Sequence, residues 1–311
     1  MFPSTVNRRS AVALASGLVL TLAACSSEDP TAAPEAASGD GDSPTVVVGS
    51  AAFPESAILG EIYAQALEAS GMDVETKFNI GPRQQTIPAL QDGSINVIPE
   101  YNGNLLAYYN TDYTERTTEE VDGALTEAVS ADNLRVLESS EAEDKDAYVV
   151  TRSTAEENDL TSIGDLSALE PFTIGARSSL GELPYGIPGL ADVYGVTDVE
   201  LTPIGDFGGP DTVKALVDDS VQVADIYTTS PALVAEDLVV LDDPENMISS
   251  QNIIPLLAES VYTDELAEVL NEVSAELTTE DLIALRERVE GEEKASAATA
   301  AEDWLAENGL N

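Results

Sequence analysis

The chain contains no histidine. That removes the commonest general base, the Ser-His-Asp arrangement and most zinc sites together. Its single cysteine, Cys25, excludes an intrachain disulfide and any metal site built on cysteines. Basic side chains are scarce: 13 Lys and Arg stand against 58 Asp and Glu, a formal net charge of −45. This argues against sequence-independent binding to nucleic acid and against a membrane protein held by electrostatics. So acidic a surface suits a protein that must stay soluble at high salt, an expectation that a source in a low-salt habitat would contradict. The absences favour binding over catalysis, and neither a cofactor nor a metal is expected.

At 311 residues the chain can bury a substantial core, and its length suggests about two domains. The amino terminus belongs to neither. Arg8 and Arg9 precede an apolar run, Ala11 to Ala24, which is shorter than the ~20 residues a bilayer-spanning helix needs and reads as an export signal over residues 1–24. Leu22-Ala23-Ala24-Cys25 resembles the lipobox of bacterial lipoproteins, whose cysteine is lipidated and becomes the first mature residue. Residues 25–44, rich in Ser, Ala, Pro, Glu, Asp and Gly without apolar periodicity, read as a disordered tether.

The body alternates strand and helix patterns. Thr45 to Ser50 is a β-branched run, Pro54 opens a helix reaching about Ser70, Val74 to Phe78 is a strand, and Ile87 and Leu90 mark a second helix. The organising stretch follows: Gly93-Ser-Ile-Asn-Val-Ile-Pro-Glu-Tyr-Asn-Gly-Asn104, read as a buried strand over Ile95–Ile98 that stops at Pro99. Ligands of open α/β sheets bind beyond the carboxyl ends of strands, so Tyr101 stands where a ligand-facing aromatic belongs. Packing within its own lobe is the competing reading. Alternation resumes from about Arg152 to Ile248, Asn252–Leu257 reads as a strand returning to the first lobe, and three helices close the chain. The expectation is an α/β protein of two lobes with a ligand cleft between them, lobe 1 spanning 45–151 plus 252–311 and lobe 2 spanning 152–251.

Gly49-Ser50-Ala-Ala-Phe53-Pro54-Glu55-Ser56, Gly81-x-Arg83, Pro99-Glu100-Tyr101-x-Gly103, Asp146-x-Tyr148, Pro184-Tyr185-Gly186 and Asp225-x-Tyr227-Thr228 occur in order. Together they resemble the glycine betaine, carnitine and choline substrate-binding proteins of ABC importers, from about Val46 to the carboxyl terminus. The resemblance implies the type II periplasmic-binding-protein fold, a quaternary ammonium ligand, an ABC permease as partner and a monomer attached to the membrane through lipid at Cys25. A trimethylammonium group has no N–H to donate, so aromatic faces hold it, each worth roughly 0.5–2 kcal/mol. A betaine carboxylate needs donors at the other end.

Carried over by position, the resemblance makes Tyr101, Tyr148 and Tyr227 cage walls and puts Asp146 at the cationic end. Taken alone, Tyr148 alternates within a strand and reads as core. Where the family often has a fourth aromatic, the chain offers Asp211, with Phe207 nearby. The family's usual basic partners for a ligand carboxylate are replaced by Ala51 and Leu183. Arg83 and Arg177 are candidate substitutes, with Ser50, Asn104 and Thr228 as neutral donors. Arg83 reads equally well as a structural tie. Two other readings stand beside this one: a protein of the same fold for a different amino-acid-derived solute, and an exported hydrolase using paired carboxylates, which so many acidic residues produce by accident.

Overall fold

The computed structural model describes residues 45–311. The export signal, Cys25 and the tether lie outside the described residues. β1 (Val46–Gly49) leads to α1 (Pro54–Ala69), whose first residue is a proline, where the missing N–H costs nothing. α1 buries Ile58, Leu59, Ile62, Ala66 and Leu67, the stripe its spacing predicts. β2 (Val74–Lys77), α2 (Arg83–Gln91) and β3 (Val97–Tyr101) follow, and β1 pairs in parallel with both β2 and β3. α3 (Asn102–Tyr109) starts directly from β3. α4 (Thr118–Ser130) opens with a reciprocal cap between Thr117 and Glu120, and β4 (Leu134–Val136) lies at the sheet edge.

The chain then crosses to a second sheet. Its elements are β5 (Tyr148–Thr151), α5 (Arg152–Glu157), β6 (Phe172–Ala176), α6 (Ile187–Tyr194), β7 (Val199–Pro203), α7 (Pro210–Val217), β8 (Val223–Asp225), α8 (Ala232–Ala235) and β9 (Leu238–Val240). β10 (Ile253–Ala258) returns to the first sheet, antiparallel between β3 and β4. α9 (Asp264–Glu276), α10 (Thr279–Glu290) and α11 (Ala297–Asn308) close the chain. The strand orders are β2-β1-β3-β10-β4 and β7-β6-β8-β5-β9. The first sheet is covered by apolar clusters on both faces, one joining Ile58, Leu59, Leu270 and Trp304, the other Ile98, Leu105, Leu125 and Ile254. The second has two of its own, around Tyr148, Phe172 and Ile174 and around Val149, Leu216 and Ile226. Both lobes are therefore three-layered α/β units.

Two expectations are corrected. The organising strand does not stop at Pro99. It runs on to Tyr101 because Pro99 stands opposite Pro255 in the antiparallel pair, a position that two residues lacking N–H can share only where no ladder bond is needed. On the other edge, β1 registers with β3 only at Val97, so nothing there asks Pro99 for a donor. The lobe boundary also moves. Tyr148–Thr151 pairs with β8 and β9 in the second sheet, so the chain has left the first lobe before Tyr148 and not after Thr151.

Candidate ligand-binding site

Each residue of Pro99-Glu100-Tyr101-Asn102-Gly103 has a separate structural task at the carboxyl end of β3. Glu100, buried, accepts from Nε and Nη2 of Arg83 at 2.9 and 2.7 Å. Tyr101 is 6 % exposed and its hydroxyl donates to Glu55 Oε1 at 2.6 Å. Asn102 accepts the Asn252 N–H at 2.9 Å and so ties α3 to the second of the two segments that cross between the lobes. Gly103 is required by close approach: a Cβ there would collide with the Ser250 carbonyl oxygen of that same segment.

This motif forms one wall of a cavity of about 590 Å³ on the first lobe. Phe53, Tyr101 and Tyr108 bring three rings to it, and Arg83, Glu100 and Asn104 bring polar groups. The Phe53 and Tyr101 rings lie 6.1 Å apart at 33°, a packed aromatic pair with Phe53 39 % exposed. A second cavity, of about 680 Å³, faces the other lobe and is lined by Asp206, Phe207, Tyr227 and Ser230, with Arg286 and Glu290 contributed by α10 of the first lobe. Phe207 is thrown outward, 57 % exposed, by a loop in which Phe207 and Gly208 both have positive φ. Gly208 is needed there, since its Cβ would come within 2.9 Å of the Asp225 carbonyl oxygen at the end of β8.

The expected site residues divide accordingly. Tyr101, Arg83 and Asn104 line the first cavity and Tyr227 the second. Tyr148 lines neither. It is buried in the second-lobe core and donates its hydroxyl to the Tyr185 carbonyl at 2.8 Å, which burial explains because an unpaired phenol there would be costly. Asp146 and Arg177 are bound to one another through two hydrogen bonds of 2.6 and 2.9 Å, and Arg177 also reaches Asp225 at 3.0 Å and the Tyr185 hydroxyl at 2.9 Å. Two carboxylates share one guanidinium. Desolvation first and the neighbouring Asp146 charge second push the more buried Asp225 up to about 8, so at neutral pH it holds a proton.

Two expected donors, Ser50 and Thr228, and the expected cage residue Asp211 face elsewhere. The Ser50 hydroxyl donates to the adjacent Ala51 carbonyl and accepts the Asn79 N–H. The Thr228 hydroxyl donates to the Glu143 carbonyl and accepts the Lys145 N–H, pinning the first crossing segment. Asp211 is exposed and lines neither cavity. The residue doing local work there is Asp206, which caps α7 by accepting both the Asp211 and Thr212 N–H groups. Arg83 keeps one group in reserve, since its Nη1 makes no hydrogen bond among the described residues while Nε and Nη2 hold Glu100.

Glu55, Phe53, Tyr108 and Asp206 were not legible as site residues. Phe53 and Glu55 do lie inside the Phe-Pro-Glu-Ser motif, and an acid in the first turn of a helix at the carboxyl end of β1 was a signal available in the sequence.

Two α/β lobes, two crossing segments and aromatic cavities at the carboxyl ends of both sheets define a solute-binding protein of the two-lobed periplasmic type. Residues 44–307 match the family described as the substrate binding domain of ABC-type glycine betaine transport systems, and the chain belongs to that family. It is the substrate-binding component of a transporter, and not an enzyme. A curated relative, the glycine betaine-binding protein YehZ of Escherichia coli K12, is 27 % identical over 278 residues, covering 85 % of this chain and 90 % of that protein. The solved structure of apo YehZ from Escherichia coli superposes with a TM-score of 0.75 at 27 % identity, over 86 % of this chain and 99 % of that one. A glycine betaine/carnitine/choline ABC transporter structure shares the fold at a TM-score of 0.78 and 21 % identity, over 85 % and 99 % of the two chains.

Proposed function

We propose that this protein captures a quaternary ammonium compound between the Phe53–Tyr101 face of the first lobe and the Phe207–Tyr227 face of the second, and hands it to an ABC permease. The observation that carries the reading is the pairing of exposed rings on both cavity walls in a chain whose formal net charge is −45. A cation without N–H donors gains from both features, whereas an amino group would be better served by free carboxylates. Tyr101 and Tyr227 line separate cavities, so the lobes must close for one ligand to touch both rings, and closure is then coupled to capture.

The cationic groups are largely spent on protein carboxylates, which favours choline, a ligand with no carboxylate to neutralise. A betaine would draw on Arg83 Nη1. Parallel calorimetric titrations with glycine betaine, carnitine, choline and proline test the reading. Heat with at least one quaternary ammonium compound and none with proline is expected; binding of proline alone would replace the assignment with a different amino-acid-derived solute.

The same reading places the protein outside the cytoplasm, held to the membrane by lipid at Cys25 and working as a monomer. Its support is the Leu22–Cys25 sequence and the lack of another cysteine. Among the described residues no helix is long and apolar enough to cross a membrane. Release of a Cys25→Ser variant into the medium is expected, and its retention on membranes would contradict the anchor.

A further inference from the structure

Glu55 lies in the first turn of α1 and is 3 % exposed. Its Oε1 accepts the Tyr101 hydroxyl, but its Oε2 is buried with no hydrogen-bond partner. A bare carboxylate oxygen in that position costs the full desolvation of the group. The groups facing it are Tyr101 from β3, Asp144 from the first crossing segment, Thr229 beyond β8 and Arg286 from α10. Arg286 is 3.8 Å from Oε2 and gives its hydrogen bonds to Glu290 and to the carbonyl and hydroxyl of Thr229. The Thr229 hydroxyl in turn donates to Asp144 at 2.9 Å.

A proton on Oε2 resolves the orphan. Protonated, Glu55 becomes a donor to Asp144, and a continuous chain of hydrogen bonds then runs from the ligand-facing Tyr101 across to the second lobe. Burial first and the Asp144 charge second push the Glu55 carboxyl up to about 7, against the lowering by Tyr101, Arg286 and Thr229. The amino-terminal end of α1 also favours the ionised form, so a modest added charge can tip the balance.

We propose that Glu55 is a titrating counter-charge beneath the ligand-facing ring, so that a cation captured against Tyr101 expels the proton from Glu55 Oε2 to solvent. The proposal rests on the cation-capture reading above. A nearby positive charge favours the ionised carboxyl, and by reciprocity the ionised carboxyl holds the cation more tightly. Glu55 touches the ligand only through Tyr101, so it is a positioning residue, with Asp144 setting its proton affinity.

Choline is the probe, because it has no group that titrates near neutrality. Titrating it into the protein at pH 7 in phosphate, MOPS and Tris separates buffer ionisation heat from binding heat. If the bound cation lowers the Glu55 pKa by about one unit, roughly 0.4 proton is released at pH 7 and affinity tightens roughly fivefold from pH 6 to pH 8. Glu55→Gln, isosteric with the protonated acid, should bind with no buffer dependence and no pH trend. Asp144→Asn, which removes the charge that raises Glu55, should shrink the release at pH 7.

Wild-type binding with no buffer dependence would overturn the proposal and leave cation capture standing. Undiminished release in Glu55→Gln would also overturn it, placing the proton elsewhere, with Asp225 the first alternative. Absence of any choline heat from folded protein, with glycine betaine and carnitine equally silent, would remove the cation-capture reading and this proposal with it.

Discussion

On the first lobe the cavity-lining Tyr101 is anchored through its hydroxyl, while on the second Tyr227 is half-buried and its hydroxyl makes no hydrogen bond among the described residues. The arginines differ in a parallel way. Arg83 is held by one carboxylate and keeps Nη1 in reserve, whereas Arg177 is shared between Asp146 and Asp225 and capped by Tyr185. The first lobe thus presents a preformed wall with one spare donor. The second presents a less constrained ring beside a cluster in which two carboxyl groups share one guanidinium. A ligand with one cationic end and one polar end would meet its ring contacts from both lobes and, at the first wall, Nη1 of Arg83.

The comparison breaks most visibly at Arg177. Replacing it by alanine leaves the buried Asp225 and the partly buried Asp146 without their cation, and stability should fall by about 3–5 kcal/mol. Arg83→Ala should cost less, because its side chain is 26 % exposed against 12 % for Arg177 and only one carboxylate loses its partner. Urea denaturation of the two variants measures the contrast, and equal losses would contradict it.

A smaller effect follows from the raised carboxyl of Asp225. The folded protein holds that proton up to about pH 8, while the unfolded chain releases it near 4. Its contribution is therefore complete below pH 4 and is lost as pH rises from about 4 to 8, with a slope of at most about 1.4 kcal/mol per pH unit. Asp225→Asn should lack that component, so its stability should improve relative to wild type across this window. A constant difference between the two proteins from pH 4 to 8 would show that Asp225 ionises normally.

The smallest effect sharpens the contrast between the walls. If Arg83 Nη1 is the donor for a ligand carboxylate, Arg83→Ala should weaken glycine betaine by roughly tenfold and leave choline nearly unchanged, the size of one charge-assisted hydrogen bond. Equal weakening of both ligands would make Arg83 a structural tie to Glu100 and nothing more.

Most of the fold was legible because its signals are local. β1, α1 and the three closing helices follow from β-branched runs and helical spacing, and their observed bounds differ from expectation by a residue or two. β9, three residues long, and the four-residue α8 carry too little periodicity to detect. The lobe assignment of Tyr148–Thr151 depends on pairing with strands some 75 to 90 residues later, which no local pattern reveals. Tyr101 and Tyr227 follow strand patterns, and their position at the carboxyl ends of strands, lining cavities, is local enough to read from the chain. The engagement of the Ser50 and Thr228 hydroxyls by backbone groups carries no local signature. Glu55 was hidden for a related reason. Its place in the first turn of α1 is a local signal, but among 58 acidic residues nothing local tells that this carboxyl is buried under a cavity-lining ring.

The central claim is that one ligand is gripped by rings from both lobes. The most direct test is a calorimetric titration of choline into wild type, Tyr101→Ala and Tyr227→Ala side by side, with folding of each verified by its thermal transition. Loss of a ring on either wall should weaken binding by roughly tenfold or more, since each cation–π contact in a desolvated cage contributes up to about 2 kcal/mol. Wild-type affinity in either variant would mean that its wall does not touch the ligand, and the two-lobed cage would be wrong.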